Sequence, residues 1–342
     1  MSKLTDWINR HQVVSFFILA FAITWPGLVA VFFIFPGNQL VLALAASFVL
    51  FSPGLSAMFI SGLANPKPRF PKRRSHWIAF AVSWLIAAIV QAAYNIEVQH
   101  NDSLPAAIVI GMIFAVFPAW LISSAYSRNP GIRAQFITLV KPRGPAIWYL
   151  VIFLIFPGIP LLATVIPSAL GGGAQFFMAG LAWKNIAIFF LLEFTHGFLY
   201  TGGINEESGW RGFALPHLQA RYPVIVSALI VWFFWAAWHI PYDIGNQVPV
   251  AWMLQNRILW NLVVSIIMAW LYNRTNGSIL APALFHVSMN TFGNQISMTP
   301  AGNILLIAVA VFAIVYDRMW KKLPPNHLAV YQQNTSNRLE NS

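Results

Sequence analysis

Two adjacent carboxylates followed by an arginine, in Glu206-Glu207-Ser208-Gly209-Trp210-Arg211, form the densest charged stretch inside the apolar part of the chain. On a helix Glu207 and Arg211 stand four residues apart on one face and can pair, while Glu206 points about 100° away. The two carboxylates would then have different jobs. A paired Glu207 stays ionised and ties its helix to neighbours; an unpaired Glu206 suits a general base that takes a proton from water. The bland alternative is a solvated charge cluster in an interfacial loop.

Two further elements could join that pair. His239 ends the aromatic run Trp232-Phe233-Phe234-Trp235-Ala236-Ala237-Trp238, where a lone histidine is more often a hydrogen-bonded structural group than a ligand. His286 and Asn290 lie four residues apart and share a helical face in an otherwise apolar stretch. Such a pair has either a common target or an interhelical hydrogen-bonding role. Glu193 and His196, three residues apart, repeat one half of a metal-binding spacing known from helical bundles. A single copy of that spacing reads as helix contact or cavity lining.

The elements that must position these residues are membrane spans. Of 342 residues 58% are hydrophobic and only 8% charged, too little charge to solvate a globule of this length. Apolar windows fall at 13–35, 40–64, 77–95, 104–126, 146–169, 185–201, 223–241, 257–272, 278–295 and 301–317. Most are long enough to cross a hydrocarbon core, which takes about 20 helical residues. The expected fold is therefore all-α, a polytopic transmembrane helical bundle of about eight to ten spans. The run 13–35 follows Lys3 and Arg10 as a signal peptide would, but it is long and lacks a small-residue cleavage site, so it reads as an uncleaved first span.

The net charge of +11 does not point to nucleic acid, because the basic residues lie in short loops between apolar windows. With the N-terminus inside, only Lys184 and Arg257 of the 20 Lys and Arg fall on the outer side, which places both termini in the cytoplasm of a cell-membrane protein. Cysteine is absent, so a thiolate nucleophile, thiolate metal site or disulfide is ruled out. No internal repeat supports an inverted-repeat transporter. Counting 1.5 Å per residue from the cytoplasmic turns puts Glu207 and His286 at the same depth, about 13 Å, but His239 at roughly 24 Å, so tilt or a submerged turn is needed to join it.

In this order the three elements resemble the signature of the CAAX-protease and bacteriocin-processing family (CPBP, or Abi) of membrane-embedded peptidases. They read Glu206-Glu207-x-x-x-Arg211, Trp235-x-x-x-His239 and His286-x-x-x-Asn290, with Trp235 where that family usually has Phe. The resemblance covers about residues 185–295. It implies an intramembrane endopeptidase whose Glu206 activates water, supported by Glu207 with Arg211, while His239, His286 and Asn290 hold a metal or stabilise the oxyanion. Zinc held by Glu206, His239 and His286 and a metal-free glutamate mechanism both stay open.

The implied substrate is a membrane peptide or protein, reached within the lipid bilayer. The organisation expected is N-terminal scaffold spans over 1–184, the protease-like core at 185–295, a last span within 296–322 and a polar cytoplasmic tail at 323–342. Two other readings use the same residues: an ion-coupled transporter with Glu and His as ion sites, and a non-enzymatic immunity or scaffold protein that binds a peptide without cutting it.

Overall fold

The computed structural model describes residues 3–37, 41, 48–64, 74–169, 183–293 and 300–324. All regular structure among them is helical. The first half contains α1 (Lys3–Arg10), α2 (Gln12–Val29, extended by a π-helical turn over Ala30–Ile34), α3 (Ser52–Ala64), α4 (Arg74–Glu97), α5 (Leu104–Phe114), α6 (Val116–Ser123), α7 (Pro130–Val140) and α8 (Ile147–Ala169). The second half contains α9 (Trp183–Tyr200), α10 (Ile204–Gly209), α11 (Leu215–Gln219), α12 (Val224–Trp238), α13 (Ile240–Gly245), α14 (Val250–Met253), α15 (Asn261–Arg274), α16 (Leu280–Gly293) and α17 (Pro300–Tyr316). Wider π turns at Trp210–Ala214 and Leu254–Trp260 join α10 to α11 and α14 to α15.

Each of the ten apolar windows falls on a helix, and the expected polytopic bundle is what the chain forms. Six stretches among the described residues are both long and apolar enough to cross a membrane: Gln12–Ile34, Arg74–Glu97, Leu104–Tyr126, Asn185–Gln219, Val224–Gly245 and Val250–Arg274. Of the other four windows, two fall on the shorter apolar helices α3 and α17, one on α16 with 14 described residues and one on α8, a helix of 23 residues; α9 to α11 run as one long stretch across a turn at Gly202. Part of the window 40–64 lies outside the described residues, and so do most of the polar tail and the loop 65–73. Several short helices lie outside the windows, among them α1, α11, α14 and α7, the last capped by Asn129, which accepts from the backbone N–H groups of Gly131 and Ile132.

Long apolar side chains face outward on these helices: Ile78 is 61% exposed and Ile89 60% exposed on α4. In water such faces would associate; in a bilayer they meet hydrocarbon, and the chain is a multi-pass membrane protein. The interior inverts the usual pattern, since Glu207, Ser208 and Arg211 are wholly buried beside Trp210 and Trp235. Around them α10 packs on α3, α9 on α4 and α16, and α12 on α15.

The helices of the first half grip the second through specific contacts. The Asn205 amide donates to the Leu50 carbonyl at 3.1 Å, and the Gln135 amide to the Ser208 carbonyl at 2.9 Å. Trp238 Nε1 donates to Thr24 Oγ1 at 2.6 Å. Gly209 lets α10 approach α3 closely: a Cβ there would lie 2.6 Å from the Pro53 backbone.

Candidate active site

The site forms where α10, α12 and α16 meet. Glu206 and Glu207 occupy the first turn of α10, and Arg211 falls in the π turn that follows. Extra-wide turns of this kind recur at functional sites because they re-aim side chains. Arg211 Nη1 reaches both oxygens of Glu207, at 2.9 and 3.1 Å. The other Glu207 partner comes from α16: His286 Nδ1 lies 2.8 Å from Oε1. Glu207 thus has one cation and one imidazole on a carboxylate with no solvent contact, the kind of pairing a buried charge requires.

Glu206 turns away from this pair, as expected for the adjacent residue on a helix, and meets α12. Trp235 Nε1 donates to Glu206 Oε2 at 2.7 Å. The same indole carries the Arg211 guanidinium over its face, 4.5 Å from the ring centroid, and its edge contacts the His286 ring at 5.3 Å. Trp235 therefore touches Glu206, Arg211 and His286 at once. The phenylalanine usual in the family at this position could not donate this hydrogen bond.

His239 sits one turn further along. Its Nδ1 donates to the Trp235 carbonyl at 2.8 Å, which leaves Nε2 as the free ring nitrogen. The depth mismatch counted from the sequence is resolved this way: the α12 residue in contact with Glu206 and His286 is Trp235, and His239 joins through its bond to that residue.

Asn290, one turn after His286, donates to the Thr201 carbonyl at 3.2 Å and keeps a second amide hydrogen. Gly202, beside Thr201, has φ +97°, a conformation L side chains rarely adopt. A Cβ on it would come within 2.7 Å of His286 Nε2 and 2.8 Å of Asn290 Nδ2. Both nitrogens thus converge on one face of Gly202. In the sequence the doublet Gly202-Gly203 stands just before the two glutamates, and that position was the available signal for such a turn.

A cavity of about 670 Å³ reaches the site at Asn290 and extends past Asn261, Arg257 and Asn303. At its edge Asp243 holds Arg257 by two hydrogen bonds of 2.8 and 2.7 Å, an ion pair for which neither residue was singled out in the sequence.

Glu193 and His196 lie outside this constellation. Tyr94 Oη donates to Glu193 at 3.1 Å, and the His196 ring stacks on Tyr94 at 3.7 Å with Nε2 against Gln91. They fasten α9 to α4, the helix-contact role. As for zinc, the free Nε2 atoms of His239 and His286 are suitable donors. Even so, no three His, Asp or Glu side chains among the described residues are grouped so as to hold a metal ion. As arranged, Glu206, His239 and His286 do not make a ready three-ligand set.

Comparison with known proteins agrees with the motifs. Residues 146–292 match the family model for type II CAAX prenyl endopeptidase Rce1-like proteins. A curated relative, CAAX prenyl protease 2 of Methanococcus maripaludis, is 30% identical over 185 residues, which covers 49% of this chain and 65% of that protein. The chain thus spans somewhat less than two thirds of the relative's length. The resemblance expected from Glu206 to Asn290 is borne out by both.

Proposed function

We propose, on the premise of that Rce1-like likeness over residues 146–292, that the protein is an intramembrane endopeptidase in which Glu206 activates water. The observation that carries the reading is the division of labour between adjacent carboxylates. Glu207 is fully engaged by Arg211 and His286, whereas Glu206 spends one oxygen on Trp235 and keeps Oε1 for chemistry.

The steps follow from these atoms. Glu206 Oε1 takes a proton from water, and the hydroxide adds to the carbonyl carbon of the scissile bond. The charge that develops on the carbonyl oxygen is met by the remaining Asn290 amide hydrogen, a donor fixed in advance by its bond to Thr201. Glu207 holds the His286 ring by Nδ1, so Nε2 is the atom that faces the substrate beside Asn290. As the C–N bond breaks, the proton on Glu206 passes to the departing amine. No step here is routed through a metal.

The substrate class in this reading is a membrane-associated peptide or protein segment, admitted to the cavity that ends at Asn290. The host is the cell membrane, with both termini on the cytoplasmic side, as the distribution of Lys and Arg favours. No contact in the site favours the ion-carrier or the binding-only reading.

Glu206→Gln and His286→Ala test the proposal in purified, reconstituted full-length protein with a membrane-tethered reporter peptide. Both variants should insert and fold while cleavage falls to background; cleavage retained in both would overturn the assignment. Elemental analysis of the same samples addresses zinc. The arrangement leads to an expectation of less than one zinc per chain, and a stoichiometric zinc lost in His239→Ala would overturn it.

A further inference from the structure

A second large cavity among the described residues lies away from the glutamates. It is a cleft of about 940 Å³ between α2, α3, α4, α6 and the start of α7, and shares no lining residue with the site. This lies at the upper end of the roughly 300–1,000 Å³ usual for ligand pockets. Its walls are apolar and open toward lipid, with Phe59 and Trp77 both more than half exposed on its rim.

Five polar residues break that apolar lining, among them Ser56, His76 and Arg128. Ser56, in the cleft wall, is fully buried and its Oγ has no hydrogen-bond partner among the described residues. At the other end of the cleft stand His76 and Arg128. His76 Nδ1 donates to the Ser123 carbonyl at 2.9 Å, which leaves Nε2 free. Arg128 is exposed, and no carboxylate among the described residues pairs with it.

We infer that this cleft is a binding site for an anionic phospholipid. Its acyl chain lies along α3 toward Ser56, and its phosphate rests between Arg128 and His76. The shape selects the occupant. A free phosphate would use the mouth and leave the apolar body empty, and a zwitterionic lipid would gain little from an unpaired cation at the level of its headgroup. Basic pockets between membrane helices are a recurrent device for holding acidic headgroups. The lipid would back α3 on the side away from the glutamates, with α10 packed against the same helix.

Native mass spectrometry of the full chain in neutral detergent tests this, with dioleoylphosphatidylglycerol, dioleoylphosphatidylcholine or water-soluble glycerol phosphate as added probe. One phosphatidylglycerol should be retained in preference to phosphatidylcholine. Arg128→Gln, at an exposed position that leaves folding intact, should reduce that preference about fivefold, the worth of one cation near an acidic headgroup. Gly62→Leu should weaken both lipids by filling the cleft, because a Cβ there already meets Ile132 at 3.4 Å. Equal retention of the two lipids, a preference unchanged in Arg128→Gln, or glycerol phosphate binding as well as the lipid would each overturn the proposal.

Discussion

The ion pair between Glu207 and Arg211 offers a perturbation whose structural and chemical consequences separate. The side chains are 0% and 1% exposed, and the pair has two hydrogen bonds of 2.9 and 3.1 Å. Removing one member of a buried pair costs about 3–5 kcal/mol, mostly because the remaining charge is left without compensation. Removing both leaves no such charge. We therefore expect Glu207→Gln and Arg211→Met each to lose about 3–5 kcal/mol and the double variant to lose much less than their sum, with a coupling of at least about 2 kcal/mol. That is far above the roughly 0.5 kcal/mol within which independent sites add. Reversible unfolding in one detergent, for all four proteins, measures the coupling.

Activity should not follow stability through this cycle. The double variant still lacks the carboxylate that holds His286 Nδ1 at 2.8 Å. It should stay at least about 100-fold slower than wild type even where it folds well. Additive losses of stability would refute the pairing as a source of fold energy. A double variant that cleaves at the wild-type rate would refute the role of Glu207 in orienting His286.

Four other variants, at three positions, probe neighbouring features. Gly202→Ala should cost about 1–3 kcal/mol from its strained φ and reduce cleavage further by displacing His286 and Asn290; thermal unfolding and reporter cleavage check it, and wild-type turnover would count against it. Trp235→Phe should slow cleavage at least roughly tenfold, since a hydrogen bond to a charged group is worth about 1.5–3 kcal/mol. Trp235→Leu should in addition lower stability, because it also removes the ring beneath Arg211; equal stability of the two variants would refute that contribution. Arg257→Gln leaves the buried Asp243 without its cation and should lower stability by up to about 3 kcal/mol, the low end for a broken buried pair because Arg257 is partly exposed; unfolding midpoints decide it.

The parts of this site that follow a helical repeat were legible in the sequence. Glu207 with Arg211, and the separation of Glu206 from them, come from 3.6 residues per turn, and the matching depths of Glu207 and His286 anticipated their contact. The functions of Trp235 and Gly202 were not, because neither depends on spacing. A tryptophan's N–H needs an acceptor whose position only the assembled helices define, and a glycine's φ is a property of the turn. The same holds for Asp243 and Arg257, which are 14 residues apart and joined across two helix breaks. Apolar composition marks which segments are helical without marking their ends: α16 has 14 described residues inside a window of 18.

The grip of the first half on the second bears on how the molecule could be re-engineered. The segment with family likeness begins at residue 146, yet Leu50, Pro53, Thr24 and Gln135 each hold part of it. A chimaera that transplanted only the matched segment onto foreign spans would bring polar groups of α10 and α12 into hydrocarbon without their acceptors and donors. The first half is thus a jig cut to this matched segment, and the two would have to be exchanged together.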